Sequence, residues 1–132
     1  FEEMKMINET KKIMHMPKLS VAATCVRLPV VTGHSESVYI EVEDENVTVQ
    51  DIRNLLEEAP GITLQDKPEE QLYPMPAHSV GLNDVFVGRI RQDLDNKKGF
   101  HLWIVSDNLL KGAAWNSVQI AETLTKLGIV KV

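Results

Sequence analysis

Cys25, Arg27 and His34 stand within ten positions of one another, in an apolar run that ends at the turn-like Thr32-Gly33-His34-Ser35. A thiol can act as a nucleophile, a guanidinium can clamp a carboxylate or phosphate in two parallel hydrogen bonds, and an imidazole can shuttle protons near neutral pH. An arginine among apolar neighbours needs an anion, because an unpaired buried charge costs several kcal/mol, on the order of a whole ion pair. Arg27 is therefore expected to be buried, either in a structural ion pair with Glu36 or Glu41 or in contact with a ligand carboxylate or phosphate. His34 follows a glycine in a turn, where it is either a general acid/base or a loop histidine. Cys25 lies in mid-strand among apolar residues, the setting of an inert packing thiol rather than of a nucleophile. Cys25 with His34 makes too few ligands for a metal site, and His15, His78 and His101 add none at ligand spacing.

Other candidates carry weaker signals. Glu2 and Lys5, three apart in an N-terminal helix, are either a solvated ion pair or part of a polar site. Arg89 and Arg91 share one strand face and read as surface charge or an ion-pair lattice. Asn108 falls in the first turn of the last helix, where ligands do collect, but a structural role accounts for it equally well. Trp103 and Trp115 read as packing or interface anchors. Neither a GxGxxG fingerprint nor a P-loop nor a metal motif occurs. Spacing alone thus yields half of an anion site without a cofactor cradle.

Several elements are needed to position these groups. Residues 2–14 have helical spacing, with Glu2 and Glu3 at the start, Lys11 and Lys12 at the end, and Pro17 beyond. Ser20–Val31 is rich in β-branched residues and predicts a long strand covered on both faces, irregular at Pro29. Residues 37–43 alternate, with Val38, Ile40 and Val42 against Tyr39, Glu41 and Glu43. Thr48 and Asp51 form a variant capping box for a helix with the stripe Ile52, Leu55 and Leu56, stopped at Pro60-Gly61. Residues 61–82 contain a short strand, Ile62–Leu64, and then prolines that predict loop. Val85–Arg91 and Phe100–Val105 pair as an antiparallel hairpin, with Phe86, Gly88 and Ile90 on one side. Ser106 or Asp107 caps a final helix from about Leu109 to Leu127, with Gly128 as its stop and Gly112-Ala113-Ala114 as a thin side. The order implies an α+β fold: a mostly antiparallel sheet with helices packed on one face.

The chain has 132 residues, 43% hydrophobic and 25% charged, enough for one domain with its own core. A net charge of -5 argues against a nucleic-acid partner. No apolar run is long enough for a membrane span, no secretory signal is evident, and the single cysteine suits a reducing cytoplasm. The opening Phe1-Glu2-Glu3 lacks an initiator methionine and leads to the expectation of a piece of a longer protein.

Three tracts, in order along the chain, carry a resemblance. They are Glu2-Glu3-Met4-Lys5 with Asn8-Glu9-Thr10-Lys11-Lys12-Ile13; Cys25-Val26-Arg27 with Gly33-His34-Ser35; and Val87-Gly88-Arg89-Ile90-Arg91 with Ser106-Asp107-Asn108-Leu109-Leu110-Lys111-Gly112-Ala113-Ala114. Together they resemble the C-terminal part of bacterial aspartate-semialdehyde dehydrogenases. The resemblance implies a glyceraldehyde-3-phosphate-dehydrogenase-like C-terminal domain over residues 1–132, concerned with substrate binding and dimerisation, without the N-terminal NADP-binding Rossmann domain. The family reduces aspartyl phosphate with NADPH to aspartate semialdehyde and phosphate, through a cysteine thioester, on the route to lysine, methionine and threonine. Its nucleophile belongs to the missing domain, so Cys25 matches a strand cysteine instead.

By the same resemblance, Arg27 holds the substrate α-carboxylate, Glu2 its ammonium end, and Lys5 the phosphate. His34 serves as catalytic acid/base, and Asn108 touches the nicotinamide end of NADP. The expected partners are the small-molecule substrate and a second copy of the chain in a homodimer or a tetramer. The fragment alone is expected to be inactive. The competing expectation is a free-standing, non-enzymatic module that holds an amino acid or anion at Arg27.

Overall fold

Alternating apolar residues build the sheet that carries everything else. The computed structural model describes residues 1–130. Its strands are β1 (His34–Glu41), β2 (Ile62–Leu64), β3 (Val85–Gln92) and β4 (Gly99–Ser106), in the spatial order β1-β4-β3-β2. β4 is antiparallel to both of its neighbours, and only the short edge strand β2 runs parallel, to β3. The α+β fold with a mostly antiparallel sheet is therefore as expected.

Val38 and Ile40 of β1 lie opposite Leu102 and Phe100 of β4. Leu102 and Phe100 join Val87, Ile90 and Ile52 in one buried cluster. Ile52 comes from helix α2 (Val49–Glu58), which starts with the expected box: the Thr48 hydroxyl accepts from the Asp51 N–H at 3.2 Å, and the Thr48 N–H donates to the Asp51 carboxylate at 2.8 Å. Leu56 packs against the cluster, but Leu55 is 71% exposed, so the expected stripe is narrower by one residue. Helices α1 (Glu2–Ile13) and α4 (Trp115–Lys126) bury no residue, whereas α2 buries Ile52 in the core cluster of the sheet.

Strict alternation fails in β3. The register between Gly88 and Arg91 contains a bulge, with Arg89 at φ 52°. One extra residue there returns Ile90 to the same side as Val87, so the two are buried together although three apart. The expected grouping of Ile90 with Phe86 and Gly88 is corrected accordingly. Residues 61–82 are more ordered than the prolines imply: Pro68 opens a 3-10 turn (Pro68–Glu70) and Pro76 opens helix α3 (Pro76–Ser79), each at a first helical position where a missing N–H costs nothing.

The largest correction concerns residues 20–31. They form no strand and pair with none, the chain bends at Pro29 and Val31, and Val26, Leu28 and Val31 are 74%, 62% and 102% exposed. β-branched residues favour extended dihedrals, but a strand also needs a neighbouring backbone, and none lies beside this run. Arg27 is consequently exposed rather than buried. Among the described residues no helix is long and apolar enough to cross a membrane.

Candidate functional site

Two local arrangements hold the candidate residues. The first joins α1 to the segment 20–31. Glu2 and Lys5 are exposed on α1, and between them the Glu3 carboxylate accepts the N–H of Cys25 at 3.1 Å. The Cys25 thiol lies 3.4 Å from the sulfur of Met6. Cys25 is exposed, so its role is a contact between segments and not core packing. The Glu3 carboxyl is held below its ordinary pKa, first by its own backbone N–H and then by that of Cys25. These contacts bring the stretch leading to Arg27 onto the helix that bears Glu2 and Lys5. Among the described residues Arg27 makes no ion pair, and neither Glu36 nor Glu41 serves it; Glu41 instead accepts from Tyr39 and Asn96.

The second arrangement surrounds His34, which is the first residue of β1, opposite Ser106, rather than part of a turn. Its neighbour Gly33 has φ +100°, a conformation that side chains rarely adopt. The Gly33 N–H donates to Asn108 Oδ1 at 2.7 Å. Asp107, 4% exposed, lies between Ser106 and Asn108. One of its oxygens accepts from the Gly81 N–H at 2.9 Å, and the other from the Leu109 and Leu110 N–H groups at 2.8 and 3.1 Å. Asp107 thus caps the last helical segment as expected, although that segment begins with a π-helical turn (Leu110–Ala114). The Gly81 N–H, with those of Leu109 and Leu110, lowers the Asp107 pKa against the opposing push of burial. No hydrogen bond joins Arg27 to His34 among the described residues, so each keeps its own surroundings.

Sequence reasoning missed a polar network on the outer sheet face, away from α2. His101 Nε2 lies 2.9 Å from Asp93, and its ring is 5.0 Å from that of Tyr39. Asn96 donates to both the Tyr39 hydroxyl and Glu41 at 3.0 Å. The bond to His101 is the main reason the Asp93 carboxyl sits below the ordinary range. Cross-strand pairing brings Tyr39 and His101 together, and the only signal was their register. Beside this network runs a groove of about 890 Å³ between Pro29–Thr32, Pro74–Ala77, Ser37 and Trp103, with Arg89 and Arg91 at its side. Neither Arg27 nor His34 lines it. Arg89 and Arg91 are exposed, the surface charge that is one of the two expectations; instead of an ion-pair lattice, Arg89 lies over the Tyr73 ring at 5.7 Å and Arg91 donates to the Arg89 carbonyl at 3.0 Å. Trp103 donates to the Pro74 carbonyl at 2.9 Å, as a packing anchor would.

The profile of the semialdehyde dehydrogenase dimerisation domain matches residues 1–111. The chain belongs to the semialdehyde dehydrogenase dimerisation domain family. Over 130 residues this dimerisation domain is 78% identical to an aspartate-semialdehyde dehydrogenase of Bacillus subtilis, covering 98% of the chain but 38% of that relative. It is 50% identical over 129 residues to one from Aquifex aeolicus, covering 98% of the chain and again 38% of the relative. Among solved structures, an aspartate semialdehyde dehydrogenase II of Vibrio cholerae, described as complexed with ASA, superposes with a TM-score of 0.87 at 41% identity, covering 95% of this chain and 36% of that one. The dimerisation domain described here therefore spans well under half the length of the relatives it matches.

Proposed function

We propose that this chain is the substrate-binding and dimerisation part of an NADP-dependent aspartate-semialdehyde dehydrogenase. The observation that carries this is the 78% identity to the Bacillus subtilis enzyme across nearly the whole chain. In the proposed reaction, aspartyl phosphate is reduced to aspartate semialdehyde and phosphate is released. In this reading the thiol nucleophile and most of the dinucleotide site belong to the part of the relatives' length that the chain does not cover. Arg27 clamps the substrate α-carboxylate bidentately, Glu2 takes the α-ammonium group and Lys5 the phosphate. His34 accepts the thiol proton and returns a proton to the tetrahedral intermediate. The exposure of Arg27 suits a guanidinium reserved for a ligand, and the contact of Glu3 with Cys25 supports a shared surface for Glu2, Lys5 and Arg27. NADP supplies the hydride when bound. The amide of Asn108 fits its carboxamide end, since Gly33 occupies Oδ1 and leaves Nδ2 free to donate to a carbonyl.

The test uses the full-length enzyme. Replacing Arg27 by Leu is expected to raise the KM for the semialdehyde about 10- to 100-fold, as loss of a charge-assisted hydrogen bond of about 1.5–3 kcal/mol implies. His34→Ala is expected to lower kcat about 100- to 10,000-fold with a smaller change in KM. Both variants remaining within about threefold of the parent would sink the assignment, because such groups are worth far more when they touch the reacting atoms. The isolated chain is expected to show no turnover.

Homodimerisation is the second part of the proposal, with the outer sheet face as the contact. The family description names dimerisation, and on this face the exposed Ser37 borders an open groove that the short helix α3 lines on one side only. A cytoplasmic location fits the biosynthetic role.

A further inference from the structure

The tripeptide Ser106-Asp107-Asn108 holds the peptide around His34 from two sides. Ser106 is the ladder partner of His34 itself. Asn108 Oδ1 accepts from the N–H of Gly33, the residue immediately before His34, at 2.7 Å in a half-buried setting. A side-chain carbonyl at that distance satisfies a donor that the strand ladder does not reach. The amide cannot be turned over without placing two donors face to face, so Gly33 dictates the orientation of Asn108. Asn108 in turn cannot drift, because the buried Asp107 carboxylate grips the backbone N–H groups of Leu109 and Leu110 on one side and of Gly81 on the other. Gly33 itself has φ +100°, where a side chain would be strained, while a Cβ built there would meet the Pro76 side chain and the Ser106 carbonyl only at an ordinary 3.5 Å.

We infer that Asn108 is a positioning residue for His34: its side-chain oxygen fixes the Gly33 peptide and, through it, the place and direction of the imidazole. This goes beyond the cofactor contact proposed for the same residue and rests on His34 being the acid/base. A misplacement of about 1 Å in a catalytic group can cost about 100-fold in rate, so one hydrogen bond to the preceding peptide is enough to matter.

The experiment uses the full-length enzyme labelled with 13C at the histidine Cε1, with variants Asn108→Leu and Asn108→Asp. Leu keeps the bulk and loses the acceptor; Asp keeps an acceptor for Gly33 but loses the amide donor. Positioning predicts that Asn108→Leu lowers kcat about 10- to 100-fold with the semialdehyde KM within about threefold, and displaces or broadens the His34 resonance. Asn108→Asp is then expected to restore a sharp His34 resonance and most of kcat, even if the KM for NADP rises. An unmoved His34 resonance in Asn108→Leu overturns the inference, as does a loss confined to the NADP KM and shared equally by Asp and Leu. If Asn108→Leu fails to fold, Asn108→Ala decides in its place: a displaced or broadened His34 resonance upholds the inference, and a parent-like one overturns it. Should His34→Ala keep full activity, the acid/base assignment falls, while the resonance still reports whether Asn108 holds His34.

Discussion

Asp107 shows how one buried carboxylate can tie two segments together. It is 4% exposed and receives three backbone N–H groups from two segments. Those donors, Gly81 first, favour the ionised form and hold the folded-state pKa below the usual 3.8. A depressed carboxylate stabilises the fold above its unfolded pKa, and that stability is lost as pH falls through the lower, folded value. Thermal unfolding of the chain should therefore show Tm falling as the pH drops below about 3.8. Asp107→Asn should flatten part of that acid limb and lower Tm at neutral pH. A limb of unchanged slope in the variant would refute the role given to Asp107. Asp93, bound to His101, Asp51, bound to Thr48, Asp44, bound to Asn46, and Glu3, bound to the Cys25 N–H, act with the same sign and contribute to the slope that remains. The capping role of Asp107 was legible from its position before a helical run. Its bond to Gly81 was not, because nothing in the order of residues says that those two loops meet.

At the scale of elements, the bulge in β3 decides which residues form the core. Gly88 lies where a Cβ would run into the Gln65 carbonyl and come within 2.7 Å of Pro74. Gly88→Ala is expected to destabilise the chain by about 1–3 kcal/mol, the usual cost of overpacking against backbone that cannot move. Gly112→Ala serves as the contrast: the new Cβ would meet Asn108 Cβ at an ordinary 3.8 Å, and alanine favours helix. It should be neutral or stabilising by up to about 1 kcal/mol in urea denaturation. Equal destabilisation by both would show that glycine flexibility, not close approach, is what matters at Gly88. Hairpin, cap and helix limits were readable from alternation, from Thr48 and Asp51, and from Gly128. The bulge was not, since Arg89-Ile90-Arg91 continues the alternating pattern and only packing reveals the extra residue.

For the whole molecule, the outer sheet face is the contact proposed for a second copy. Ser37 is exposed, lies opposite Trp103 across the β1–β4 pair, and lines the groove beside Arg89 and Arg91. Ser37→Arg adds a like charge and bulk there with little cost to the monomer, because the position is open. In sedimentation of the full-length protein at micromolar concentration, the variant is expected to dissociate at least about 10-fold more readily than the parent, the effect of about 1.4 kcal/mol. An unchanged dimer would move the interface to another face.

The sequence by itself determined the α+β class, most element boundaries, the capping box and the family, because these depend on local dihedral preference, on periodicity and on ordered motifs. It also led to a buried Arg27 in a paired strand, which is not what the fold contains. Only tertiary structure decided that residues 20–31 pair with no strand, that β3 bulges, and that the amide of Asn108 closes on the peptide before His34. Each of those depends on whether a second segment is present at hydrogen-bonding distance, which no run of neighbouring residues encodes.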